Sequence, residues 1–270
     1  MSDLIQNIDW AAFLAQTGSK SDVDHTDAQD STFLALGFRD PATALQNLQQ
    51  LQNLDATESL LPLVGRTLVC TSSGYSNTPR TAIISDPDMA LNNLHRFIAS
   101  TKDPSTIAGL FLRDRDALPI LLQMFSTSQY LSDLLIRDPA AYDQLRVTEG
   151  IPLSRELLIE DFLATIHEAM TESEIMLLLR KFKQRETARI MYGDIIRSMR
   201  LESVVSQLSL LAEALLEVSL QAAARLLRPK YGDPRDAQGE VVRMAILGLG
   251  KLGGAELNYS SDIDLIFLYA

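Results

Sequence analysis

The sequence predicts a mostly helical protein that passes, at its far end, into the first strands of an α+β fold, and three features predict it. Aromatic residues make up only 6% of the chain while leucine and alanine abound, a composition suited to helices rather than to the facing pleats of a sandwich or barrel. Asp-Pro pairs punctuate the first half at points where helices can begin. The residues from about 241 onward change character, to two short apolar runs separated by a glycine-rich turn.

Bulk properties narrow the function classes. A chain of 270 residues suits one large domain or two modest ones, with ample length to bury a core. Lys+Arg 24 against Asp+Glu 35 leaves a net charge of −11. A groove that binds nucleic acid by counterion release needs an excess of cations, so nucleic acid is not an expected partner. Nucleotides are still within reach of an acidic protein, because a divalent cation can bridge carboxylates to phosphates. Cys70 is the only cysteine, which excludes an intrachain disulfide and a cysteine metal cluster. The opening segment has no basic n-region or apolar h-region, and no uninterrupted apolar run approaches the roughly 18 residues of a membrane span. The expectation is a cytoplasmic protein with no membrane partner.

Taken in order, residues 17–32 (TGSKSDVDHTDAQDST) are polar and acidic and read as a link after the apolar stretch Ile8–Leu14. Residues 1–84 are expected to be a variable acidic region with short helices, 85–170 a helical domain, and 171–270 the start of a further, truncated domain. In Asp40-Pro41, Asp86-Pro87, Asp103-Pro104 and Asp138-Pro139, the aspartate can accept a free first-turn amide. The proline follows where its missing N–H has no intrahelical partner anyway. Each pair therefore predicts a helix start. Residues 67–84 look least helical and are expected to form a loop with extended pieces. Helices are predicted over 87–100, 105–113, 116–126, 129–136 and 154–169, then two long ones. The first, 172–199, carries Arg180, Lys181, Lys183, Arg185, Arg189 and Arg197 as a basic face. The second, 201–228, repeats Val204, Leu208, Leu211, Leu215, Val218 and Ala222 in steps of four and three, the seam of a packed helix. Gly232, Asp233 and Pro234 stop it.

Beyond that stop, Val241–Leu247 (VVRMAIL) reads as a strand, GLGKLGGAELNYSS as a glycine turn with a turn or two of helix, and DIDLIFLYA as a second strand. Two strands alone are not independently stable, so the chain is expected to be truncated within its sheet. On a strand Asp262 and Asp264 would share one face. Adjacent carboxylates repel unless a cation lies between them, and magnesium suits that place because it accepts carboxylates together with phosphate oxygens and water. Gly250, Lys251, Gly253 and Gly254 supply bare backbone and one point charge where phosphate could approach, and Ser261 stands next to the first acid. Either feature alone is weak. A glycine turn joined directly to Asp-x-Asp is stronger, because both converge on one phosphate–metal site.

The stretch GLGKLGGAELNYSSDIDLIFLY closely resembles the signature of glutamine synthetase adenylyltransferases, within the DNA polymerase β-like nucleotidyltransferase superfamily. RKFKQRETARI, QLSLLAEALLEVSLQAA and AQGE also resemble that family, and DPDMALNNLHRFI and SQYLSDLLIRDP do so more loosely. Resemblance covers roughly residues 85–270. It implies a polymerase β-like fold and one of two catalytic modules. The N-terminal module removes AMP from a tyrosine of glutamine synthetase by phosphorolysis, and the C-terminal module attaches it from ATP. The motif's form looks more like the N-terminal copy. On that resemblance Asp262 and Asp264 hold Mg2+, and ATP, ADP and inorganic phosphate are the small substrates. Glutamine synthetase and a PII-type signal protein are the partners. A third carboxylate usually comes from a later strand, so this chain alone is expected to be inactive. The alternative is a helical docking module for glutamine synthetase or a PII-type regulator.

Other motifs fall away. Gly248-x-Gly250-x-x-Gly253 formally fits a dinucleotide fingerprint, but Gly254–Ser261 is too short for the crossover helix that fold needs. No Gly-Lys-Ser/Thr completes a Walker A loop. His25, His95 and His167 lack metal-ligand spacing.

Overall fold

The computed structural model describes residues 30–54, 60–72, 83–167 and 170–269. The acidic opening stretch through residue 29 and the loop expected over 73–82 lie outside the described residues. The chain divides into two compact units, Met1–Asp143 and Gln144–Ala270.

The first unit is helical. After helical residues 30–35 come α1 (Pro41–Gln52), α2 (Leu60–Ser72), α3 (Pro87–Ser100), α4 (Pro104–Arg113), α5 (Ala117–Thr127) and α6 (Gln129–Arg137). Then α7 (Ala141–Thr148) straddles the division. Three of the four Asp-Pro pairs act as predicted. The Asp40 carboxylate accepts the Thr43 amide, Asp86 that of Met89 and Asp103 that of Ser105, each with proline in the first turn. Asp138 differs: its own N–H closes α6 on Leu134, and a Pro139-Ala140 turn intervenes before α7 starts at Ala141. The expected loop from residue 67 is also corrected, since 67–72 complete α2. Leu60, Leu61, Val64 and Leu68 are buried at helical spacing, and that burial outweighs the β-branched residues of the segment. In the core, Phe97 of α3 meets Phe125 and Tyr142 edge-on, with ring centroids 5.6 and 6.3 Å away.

The second unit carries α8 (Arg155–Leu163), α9 (Glu172–Arg197) and α10 (Leu201–Tyr231), followed by β1 (Met244–Gly248), α11 (Gly250–Gly253) and β2 (Leu265–Tyr269). α8 is shorter than the predicted 154–169, because its end turns at Ala164 and Thr165 and Thr171 opens α9 with a capping box to Glu174. The α10 seam is buried as predicted at Val204, Leu208, Leu211, Val218 and Ala222, with Ala214 buried beside Leu215. Phe182 of α9 packs edge-on against Phe162 of α8 at 5.2 Å. By length and composition α10 is apolar enough to cross a membrane, yet it packs against α8 and α9 in the core of this unit.

The predicted basic face of α9 splits in two. Arg180, Lys181 and Lys183 are exposed. Arg189 is only 3% exposed and donates to Glu186, to the Ile151 carbonyl and to Gln207. Arg185 pairs with Asp161 and Glu186, and Arg197 with Glu149. These three arginines are spent on packing the unit.

β1 and β2 pair antiparallel, from Met244 opposite Tyr269 to Gly248 opposite Leu265. Two boundaries shift from expectation. The first strand begins at Met244 rather than Val241, since Arg235 bridges Val241 and the Asp236 carboxylate accepts the amides of Gln238 and Glu240 in a separate loop. The second begins at Leu265 rather than Asp262: β1 has ended at Gly248, and Gly250, at φ +56°, already turns away.

Candidate active site

The site is assembled where the hairpin opens. One bond extends the ladder past the strands, from the Leu249 amide to the Asp264 carbonyl at 2.9 Å. Leu249 and Asp264 are therefore opposite one another, and the next residue on the β1 side is Gly250. The chain turns there in a left-handed conformation that glycine adopts without strain. A side-chain carbon built on Gly250 would lie 4.0 Å from Asp264 Oδ2. The fold thus brings the second acid against the first residue of the glycine turn.

α11 is a single turn. Its N-cap, Leu249, offers no side-chain acceptor, and the amides of Gly250, Lys251 and Leu252 meet no acceptor among the described residues. One turn gives little axial field, so what it offers an anion is three free N–H groups rather than a helix dipole. Lys251 is exposed within this turn. The other two glycines do different work. A carbon on Gly253 would sit 2.6 Å from the Gly248 carbonyl oxygen, so Gly253 permits α11 to fold back on the end of β1. Gly254 has only ordinary contacts, the nearest at 3.6 Å.

Asp262 and Asp264 are both exposed, and among the described residues neither carboxylate has an ion pair or a hydrogen bond. Two hard oxygen donors without a counter-charge suit a divalent cation that keeps other positions for phosphate and water. No cluster of three or more His, Cys, Asp or Glu residues completes such a site among the described residues.

The Ser261 hydroxyl donates to Asn258 Oδ1 at 2.8 Å and its oxygen accepts the Asn258 amide at 3.1 Å. It braces the turn that delivers Asp262. Sequence reasoning missed the residues that anchor this turn. The Tyr259 hydroxyl donates to Asp194 Oδ2 of α9 at 3.0 Å, and the Leu257 amide donates to the buried Ser209 Oγ of α10 at 3.2 Å. Tyr259 is 41% exposed overall; the partial burial it does have, then the Asp194 charge, raises its pKa above the ordinary value, so the hydroxyl keeps its proton. Nothing in the spacing of residues 65 apart could have paired Tyr259 with Asp194. A concavity of about 420 Å³ is lined by Arg155, Glu213 and Glu217, by residues of β1 and by Leu252 and Gly253 of the glycine turn; Asp262 and Asp264 do not line it.

Comparison with known proteins bears on this arrangement directly. A family model described as glutamate-ammonia ligase adenylyltransferase matches residues 118–270, more than half of the chain and all of the site. The chain belongs to the glutamate-ammonia ligase adenylyltransferase family. A bifunctional glutamine synthetase adenylyltransferase/adenylyl-removing enzyme of Thioalkalivibrio sulfidiphilus (strain HL-EbGR7) is 31% identical over 252 residues, covering 86% of this chain and 24% of that protein. The enzyme of the same description from Vibrio parahaemolyticus serotype O3:K6 (strain RIMD 2210633) is 39% identical over 143 residues, covering 53% of this chain and 15% of that protein. The chain spans about a quarter or less of the length of these adenylyltransferase relatives.

Proposed function

We propose that these residues form the metal- and phosphate-binding part of a nucleotidyltransferase site that removes AMP from an adenylylated tyrosine of glutamine synthetase. The observation that carries this is the placement of Asp264 against Gly250, beside three amides without acceptors. Asp262 and Asp264 would hold Mg2+, which when bound supplies positive charge to phosphate oxygens. The amides of Gly250, Lys251 and Leu252 would donate to a phosphate oxygen, and the Lys251 ammonium would add a point charge. In the reaction an oxygen of inorganic phosphate bonds to the AMP phosphorus. The bond from that phosphorus to the tyrosyl oxygen breaks, the tyrosine recovers its proton, and ADP leaves. Within a protein of the relatives' length, a second module would attach AMP from ATP, and a PII-type signal protein would set the balance in the cytoplasm.

The test is made on a protein of the relatives' full length that carries these residues, given adenylylated glutamine synthetase, Mg2+ and phosphate. ADP should appear in proportion to phosphate consumed. Release of free AMP without phosphate uptake, or no ADP at all, would count against phosphorolysis.

A second reading has its own observation. Arg180, Lys181 and Lys183 stand exposed on α9, without ion pairs among the described residues, beside exposed Met176 and Leu177. That face suits docking an acidic surface of glutamine synthetase or a PII-type protein. Replacing all three cations by glutamate should weaken capture of glutamine synthetase by this chain; unchanged capture would remove the reading.

A further inference from the structure

The turn that delivers the acids has little regular structure of its own. Residues 254–264 contain no helix or strand, and the hairpin they join is largely exposed, with Phe267 54% accessible. What fixes this segment is its attachment to the long helices. Leu252 and Leu257 are buried in the core cluster of α8, α9 and α10. Between those side chains and the acids lie two hydrogen bonds to different helices. The Leu257 amide reaches Ser209 Oγ, which itself donates to the Val205 carbonyl at 2.9 Å, and the Tyr259 hydroxyl reaches Asp194. From Tyr259 the path to Asp262 is three residues, and most of it is knotted by Asn258, whose Oδ1 accepts from Ser260 and Ser261. A shift of the tyrosine ring therefore carries through a stiff turn to the first acid.

We propose that Tyr259 is a positioning residue: its hydrogen bond to Asp194 pins the turn to α9 and so sets where Asp262 and Asp264 stand relative to the glycine turn. This rests on the metal reading of the two acids. A tyrosine that served only to fill space would pack equally well as phenylalanine, and its partner on α9 would be free to change. The pin predicts otherwise, because an unpaired carboxylate left at the interface with the turn gains nothing from the lost hydroxyl.

The test compares Tyr259→Phe, Asp194→Ala, the double variant and Asp194→Asn in the whole chain, by amide hydrogen exchange and by Mn2+ binding followed through its electron paramagnetic resonance signal. Tyr259→Phe and Asp194→Ala should each speed exchange at residues 258–264 by about tenfold, the weight of one charge-assisted hydrogen bond, with α9 and α10 unchanged. The double variant should add nothing further. Asp194→Asn keeps an accepting oxygen but loses its charge and should exchange at a rate between those of wild type and Asp194→Ala. Mn2+ affinity should fall severalfold in the same variants that loosen the turn. Additive effects, or exchange at 258–264 that does not change, overturn the pin. Faster exchange with Mn2+ affinity intact shows a pin that does not position the acids and overturns the proposal. Wild-type Mn2+ binding that is absent, or that survives Asp262→Asn and Asp264→Asn, overturns the metal reading and the positioning role with it, while the exchange data still report separately on the hydrogen bond.

Discussion

Gly253 and Gly254 are neighbours in the motif and are unlike in what they permit. A carbon at 253 would press to 2.6 Å on the Gly248 carbonyl, a backbone atom that can yield only if the turn or strand moves. Gly253→Ala should therefore lower stability by about 1–3 kcal/mol, as overpacking does. Gly254→Ala meets nothing nearer than 3.6 Å at an ordinary backbone angle and should stay within about 0.5 kcal/mol of wild type. Thermal unfolding of the two variants checks the contrast, and equal effects would contradict the packing described. At this level Asp262, Asp264 and the glycines could be singled out as candidates from the sequence, and the structure sets Asp264 beside Gly250. Which glycine faces the acids was not legible, because that depends on the turn direction at Gly250. Tyr259, Asp194 and Ser209 gave no signal, since a tyrosine, an aspartate and a serine far apart in sequence carry no spacing rule.

The helices were legible through their caps and their seams. Asp40, Asp86 and Asp103 begin helices for a local reason, a carboxylate reaching a first-turn amide, and local reasons survive in a single sequence. The end of α2, residues 67–72, was misread because the helix is held by burying Leu60, Leu61, Val64 and Leu68, which no propensity records. The cations of α9 were misjudged for a similar reason. Arg189 looked like part of a solvated face, and it is instead locked between α9, α10 and the segment before α8. There it bonds Glu186 at 2.6 Å and the Ile151 carbonyl at 2.5 Å, while Gln207 ties Leu153 from both sides. Without Arg189, Glu186 keeps only Arg185, on Oε1, while its buried Oε2, the Ile151 carbonyl and Gln207 each lose a donor. Arg189→Ala should destabilise the second unit by about 3–5 kcal/mol, whereas Lys181→Ala, on the exposed face, should fall within about 0.5 kcal/mol. Chemical denaturation of both variants decides between a buried clamp and a surface charge; a small loss for Arg189→Ala would contradict the clamp.

For the molecule as a whole, helices supply the scaffold and a two-stranded hairpin carries the candidate site. The hairpin's side chains remain largely open, with Leu247, Ile266, Phe267 and Leu268 all exposed, and its position is borrowed from α9 and α10 through Leu252, Leu257 and Tyr259. That division explains why the fold class could be read from composition and pattern while the strand limits could not. The antiparallel ladder stops where β1 runs out of partner, and only the paired structure reveals that point. It also explains why family membership and the two acids speak to the same region, since the matched residues 118–270 contain the whole of the hairpin and its anchors. The account therefore stands on Asp262 and Asp264. The direct measurement is the rate of phosphate-dependent ADP formation from adenylylated glutamine synthetase by a protein of the relatives' full length carrying these residues, comparing wild type with Asp262→Asn and Asp264→Asn. Each substitution keeps the side chain's shape and removes its charge. The account predicts a loss of about a thousandfold or more in each variant, with circular dichroism unchanged, as expected when a carboxylate holding the cation that stabilises transferring phosphate is lost. Wild-type rates in either variant would contradict it.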